Sequence, residues 1–216
     1  MGCFFYMKMN IFMKMKKLYL SLMACFFVLA VSAQSFRYQG FSGGMMLHAG
    51  YMQSKSSQAY FEGYQSLCQG VGGAARVHLG KYLRLGGEGY VSSANYDANE
   101  SYVSLGWGGV LADVALPLKK WTLYAGGSFG GGSVQHLQRN RPLENDFIPD
   151  LSSNYRHYAT MLLTPYVGVE YALNDGIHLT AKIDYAMPMA KDKQSICDFP
   201  LGPRLYIGFL FYHTNP

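Results

Sequence analysis

Eight stretches of alternating residue character run through this chain, and the connections joining them are short and long by turns. The stretches are residues 39–53, 69–79, 82–94, 102–116, 121–136, 158–172, 177–188 and 203–213. A period of two puts successive side chains on opposite faces, which is the geometry of a strand and not of a helix. Residues 80–81, 117–120 and 173–176 make the tight connections. Gly80 and the run Asn174-Asp175-Gly176 are expected to supply the positive φ angles that a tight hairpin requires. Residues 54–68, 95–101, 137–157 and 189–202 make the long, polar connections. Sorting turns to one end and loops to the other is a property of strands that cross a membrane as a barrel. The pattern predicts an all-β fold, an eight-stranded antiparallel up-and-down transmembrane β-barrel. Three turns and four loops put both ends of the barrel on the turn side, the periplasmic side of such barrels.

Alternation gives each strand two faces. In the seventh, Ile177, Leu179, Ala181, Ile183 and Tyr185 oppose His178, Thr180, Lys182 and Asp184. In the eighth, Leu205, Ile207, Phe209 and Phe211 oppose Arg204, Tyr206, Gly208 and Tyr212. The fourth keeps this pattern only with one slip near Gly108-Gly109, which predicts a β-bulge. A soluble barrel turns its charged face to water, and a membrane barrel inverts that arrangement. Here the polar faces are rich in Tyr, Gly and Thr. Their charges balance, with Arg76, Arg84, Lys182 and Arg204 against Glu88, Asp113, Glu170 and Asp184. Buried charges require partners, so this set predicts a salt-bridge network filling the lumen. Trp121 and Tyr171 beside a short turn, and Tyr51 and Tyr185 near the loop ends, suit two interfacial belts.

The N-terminus reads as a secretory signal peptide over residues 1–33, leaving a barrel domain over residues 34–216. Lys8, Lys14, Lys16 and Lys17 precede an apolar run at residues 18–30, and Val31-Ser32-Ala33 offers a cleavage site near Ala33. That run is shorter than the roughly 20 residues of a spanning helix. Removing residues 1–33 takes away four of the 18 basic residues and none of the 13 acidic ones. No basic stripe remains to pair with phosphates, so no nucleic-acid partner is implied. The two cysteines beyond that segment, Cys68 and Cys197, fall in the expected loops near strand starts. In an exported chain they form a disulfide or stay as two free thiols, and the sequence leaves both open.

At this point the chain resembles the small OmpA/OmpX-type eight-stranded outer-membrane barrels, especially the short single-domain kind of Bacteroidota. The resemblance rests on the strand rhythm and the closing strand Arg204-Leu205-Tyr206-Ile207-Gly208-Phe209-Leu210-Phe211-Tyr212. It implies residence in the outer membrane, contact with lipid and lipopolysaccharide, and recognition of the closing strand by the outer-membrane assembly machinery. His213-Thr214-Asn215-Pro216 follow the last aromatic, a departure from that signal. No catalytic residues come with the resemblance, since such barrels share a shape and not a site.

Other chemistry is weakly signalled. His48, His78 and His178 have inward parity, His136 and His157 flank the third loop, and His213 is terminal. None has a metal-ligand spacing, which points to hydrogen bonding in the lumen and to no metal or cofactor. Ser133, His136 and His157 are the residues from which a lipid A-modifying enzyme would be assembled, but no compact nucleophile–base motif is present, and catalysis is not expected. The paired glycines are not phosphate loops, since no Lys-Ser/Thr follows them. Eight strands leave room for side chains and not for an open pore. The expected role is therefore structural or surface-binding. A contact surface is expected from Tyr60, Phe61 and Tyr64 in the first loop and from Arg139, Arg141, Phe147 and Ile148 in the third. It would meet lipopolysaccharide, another envelope protein or a host protein. The rival to a membrane barrel is a soluble lipocalin-like ligand-binding barrel in the periplasm.

Overall fold

Each alternating stretch pairs with the next, and the last returns to the first. The computed structural model describes residues 37–54, 57–58, 61–96, 101–139, 153–189 and 199–214. The expected signal segment at residues 1–33 lies outside them. The barrel strands are β1 (Tyr38–Gln53), β2 (Gln65–Leu79), β3 (Leu83–Tyr96), β4 (Ser101–Leu118), β5 (Trp121–Arg139), β6 (Ser153–Ala172), β7 (Ile177–Tyr185) and β8 (Pro203–Thr214). All neighbours are antiparallel, and β8 pairs with β1 from Gly40↔Thr214 to Gly50↔Arg204. The result is a closed, all-β, up-and-down barrel of eight strands with no free edge.

The tight connections are built from local chemistry. Gly80 has φ 63° in the β2–β3 turn, and Lys119 has φ 58° in the two-residue turn from β4 to β5. Asn174 Oδ1 accepts hydrogen bonds from the N–H groups of Gly176 and Ile177 at 2.9 and 2.8 Å, which fixes the β6–β7 turn without the positive φ expected of Asn174-Asp175-Gly176.

Three expectations are corrected. First, several strands run further toward the loops. β2 starts at Gln65, so Cys68 is not in a loop but in the ladder opposite Gly50. Leu137↔Tyr155, Gln138↔Asn154 and Arg139↔Ser153 extend the β5–β6 pair into the expected third loop. Backbone pairing does not require apolar side chains, so the ladder outlasts the apolar alternation. Second, β7 ends at Tyr185, although Met187 and Pro188 still pair with Leu163 and Leu162. The register is unchanged across the gap, which falls opposite Pro165, a residue with no N–H to donate.

Third, β4 has no bulge. One register holds from Leu83↔Val114 to Tyr96↔Ser101, and another from Tyr102↔Leu137 to Leu118↔Trp121. Val103, Leu105, Trp107, Leu111, Asp113 and Ala115 are all buried on one parity. The apparent slip arises because the inward face of this strand is mostly apolar toward the loops. The register irregularity in the β1–β2 pair lies instead between Tyr38 and Gly40, where Gly40 has φ 138°.

The inside of the barrel is therefore filled by two kinds of packing. Met46, Tyr90, Val103, Leu105, Trp107, Val134 and Leu162 form an apolar core with Met52 and Tyr206. Three residues outside the barrel strands join it, one of them Ala186 just after β7. Tyr64 is buried just before β2, and Phe199 is fully buried in the last connection. Gln53 and Leu201 exchange backbone hydrogen bonds of 2.8 and 2.9 Å, which hold that connection against the rim. The outer wall is the opposite of a soluble surface. Met45, Leu47 and Val110 are each about 70% exposed, and Ile207, Phe209 and Phe211 stand outward in a row. An apolar wall of this extent is not sustainable in water.

Candidate functional site in the filled lumen

Inward parity places all eight charged side chains of the polar faces inside the barrel, where every one is buried. They meet in three groups. Nearest the turns, Arg84 Nε lies 2.5 Å from Asp113 Oδ1 and its Nη1 2.8 Å from Glu170 Oε1. Arg76 Nε lies 3.1 Å from Asp113 Oδ2, and its Nη1 is 3.8 Å from Glu170 Oε1. Tyr166 donates its hydroxyl to Asp113 at 3.0 Å, and Tyr212 donates to Glu170. In the second group Lys182 Nζ donates to Glu88 Oε2 at 2.9 Å. In the third Arg204 Nε donates to Asp184 Oδ1 at 2.9 Å.

Aromatic rings complete each group. Lys182 Nζ sits 4.5, 4.8 and 4.5 Å from the ring centres of Tyr90, Tyr166 and Tyr206. Arg204 lies 4.1 Å over Trp107, and Arg76 and Arg84 lie over Tyr124. Each desolvated ion costs several kcal/mol, which ion pairing, charge-assisted hydrogen bonds and cation–π contacts offset. Small residues opposite make the space. A Cβ on Gly72 would lie 2.2 Å from Tyr90 Cδ1, and one on Gly168 would lie 2.3 Å from Tyr124 Cζ. The groups span the barrel and leave it packed, in keeping with the bore of eight strands.

Among solved structures, the chain is similar to Neisserial surface protein A, at 15% sequence identity and a TM-score of 0.53. That match covers 81% of this chain and 98% of the other. It is also similar to the outer membrane protein OprG of Pseudomonas aeruginosa, at 9% identity and a TM-score of 0.52, with 84% and 99% covered. The fold is that of the small eight-stranded outer-membrane barrels. No protein family and no curated protein matches the chain by sequence. The narrower likeness to Bacteroidota proteins has no support in these matches.

Within this barrel the histidines divide. His48 is buried and shares a 2.6 Å hydrogen bond with Ser92, and His78 shares one of 2.8 Å with Ser42. His178 Nδ1 stands 3.9 Å from Glu170 Oε2. His136 points inward and bonds to Tyr96. Ser133 and His157 instead share a 2.7 Å hydrogen bond on the outer face. The three residues from which a lipid-modifying site would be built are thus split by the barrel wall. No three His, Cys, Asp or Glu side chains among the described residues converge as metal ligands.

The expected loop surface is largely beyond description. Tyr60, Arg141, Phe147 and Ile148 lie outside the described residues, and Arg139 and Phe61 are placed only as strand residues. Cys68 is a buried free thiol, and Cys197 lies outside the described residues. Sequence reasoning missed Trp107 and Phe199, and it put Tyr64 on the loop contact surface, whereas Tyr64 is buried in the core. The supposed slip hid the parity of Trp107. Tyr64 and Phe199 belong to connections, where no periodicity signals burial.

Proposed function

We propose that this chain is an outer-membrane barrel with a closed, salt-bridged lumen, and that it acts as a structural element or binds at its loop-side surface. The observation that carries this reading is the inversion of its faces. Eight acidic and basic side chains are inside, and a wall made mostly of Leu, Val, Ile, Phe and Met is outside. A soluble ligand-binding barrel would need the opposite arrangement and an emptier interior. The packed lumen argues against transport of solutes. The proposed partners are outer-membrane lipid and lipopolysaccharide, the assembly machinery that reads the closing strand, and an envelope or host protein at the loops.

Heat-modifiability of the outer-membrane fraction on SDS gels tests this reading. The expected result is an unboiled band that runs faster than the boiled one. Recovery in the soluble fraction with no shift would overturn it.

A further inference from the structure

The outer wall is not uniform. On β7, β8 and β1 the outward side chains include Ile183, Ile207, Phe209 and Leu47, all large and exposed, with Gly43, Ala49 and Ala181 between them. On β4, β5 and β6 the wall falls away into a groove of about 750 Å3. Its outward-facing lining is Gly106, Gly108, Gly131, Ser133, Ala159 and Met161. The groove is open along its outer side and not enclosed, so it offers a shallow bed and not a buried pocket.

Packing accounts for Gly108, where a Cβ would lie 3.1 Å from the Glu88 carbonyl oxygen, but not for Gly106 or Gly131. Inward glycines are forced, since a Cβ on Gly130 would lie 2.0 Å from the Gly108 carbonyl oxygen. A Cβ on Gly131 would meet nothing within 4 Å, and one on Gly106 would touch only Val91 Cγ2, at 4.0 Å. A larger apolar residue at either site would fit and would add contact with lipid, yet glycine stands there.

The groove also has a polar end. Ser133 lines it, and His157 Nε2 is 2.7 Å from Ser133 Oγ. Ser93 and Ser104 share a 3.3 Å hydrogen bond beside them, in the row that contains His157. At the other end the groove runs into the apolar row Val110, Phe129 and Leu163. Polar groups facing hydrocarbon require hydrogen-bond partners. With the imidazole donating to Ser133 Oγ, the hydroxyl proton is free to bond an ester carbonyl. An acyl chain continuing from that carbonyl would lie over the glycines toward the middle of the membrane.

We infer that this groove seats one acyl chain of an ester-linked membrane lipid, with the ester at the Ser133–His157 pair. The inference rests on the membrane reading above. The occupant is an acyl chain and not a peptide because the groove is continuous with the apolar wall and has no unpaired strand edge for a peptide to join.

Photolabelling tests it. The full chain is reconstituted in vesicles containing a phosphatidylethanolamine with a diazirine on its acyl chain, irradiated, and mapped by peptide mass spectrometry. Label is expected to be several-fold denser on residues 131–133 and 159–161 than on outward positions of β7 and β8. Gly131→Leu should reduce it to that background, with Gly106→Val as the second groove-filling variant. Ser133→Ala should lower it in part. Even labelling around the barrel, or labelling unchanged by both groove-filling variants, would overturn the inference while leaving the membrane reading intact. Absence of label on every strand together with absence of a heat shift would overturn both.

Discussion

Lys182 and Glu88 stand 94 residues apart in the chain and meet at 2.9 Å inside the barrel. Both side chains are fully buried, and the ammonium group is ringed by three tyrosines. Neither charge is tolerable there without the other. Lys182→Met should strand Glu88 and cost about 3–5 kcal/mol. Lys182→Met combined with Glu88→Met should recover most of that loss, since a well-packed apolar pair often replaces a buried ion pair at little cost. Urea unfolding in detergent micelles, read by the heat-modifiable band, checks the cycle. Additive losses would show that the two residues are not coupled.

Glu170 is a hub and Asp184 is not. Glu170 accepts from Arg84 and Tyr212, and Arg76 and His178 lie close to it. Asp184 pairs with Arg204 alone among the ion pairs described. Glu170→Gln should therefore destabilise more than Asp184→Asn in the same unfolding assay. Equal losses would mean that the turn-side cluster is not cooperative.

The direction of the faces has a simple test. Val110 is outward at mid-strand and 68% exposed. Val110→Arg should cost about 2–4 kcal/mol if that surface meets the bilayer interior. In a water-exposed sheet the same change would be nearly neutral. Folding yield into phospholipid vesicles separates the two outcomes.

Adjacent glycines should behave in opposite ways. Gly130→Ala forces a Cβ to within 2.4 Å of Gly109 Cα and should sharply lower the folded fraction. Gly131→Ala meets open space and should leave the folded band unchanged. Similar behaviour of the two variants would mean that the β4–β5 approach is looser than the structure shows.

The long third connection should be dispensable for folding. Replacing residues 140–152 with a short Gly-Ser turn should keep the heat shift, because the β5–β6 ladder is complete up to Arg139↔Ser153. Loss of the folded band would assign that connection a structural role and weaken the surface-binding proposal.

The sequence by itself determined the strand count, the antiparallel order and the placement of Arg76, Arg84, Glu88, Asp113, Glu170, Lys182, Asp184 and Arg204 on one parity. These properties follow from a period of two and from turn chemistry, both of which are local. It did not determine which acid meets which base. Arg84 binds both Asp113 on β4 and Glu170 on β6, a choice made by the curvature and register of the closed sheet. Nor did alternation show that the lumen is apolar beside Trp107 and Leu105, because an inward apolar row on β4 looks like a slip until its neighbours are paired. The Gly131 groove was equally hidden. A glycine reads the same in sequence whether a neighbouring strand demands it, as at Gly130, or nothing touches it. Only the tertiary distances separate the two.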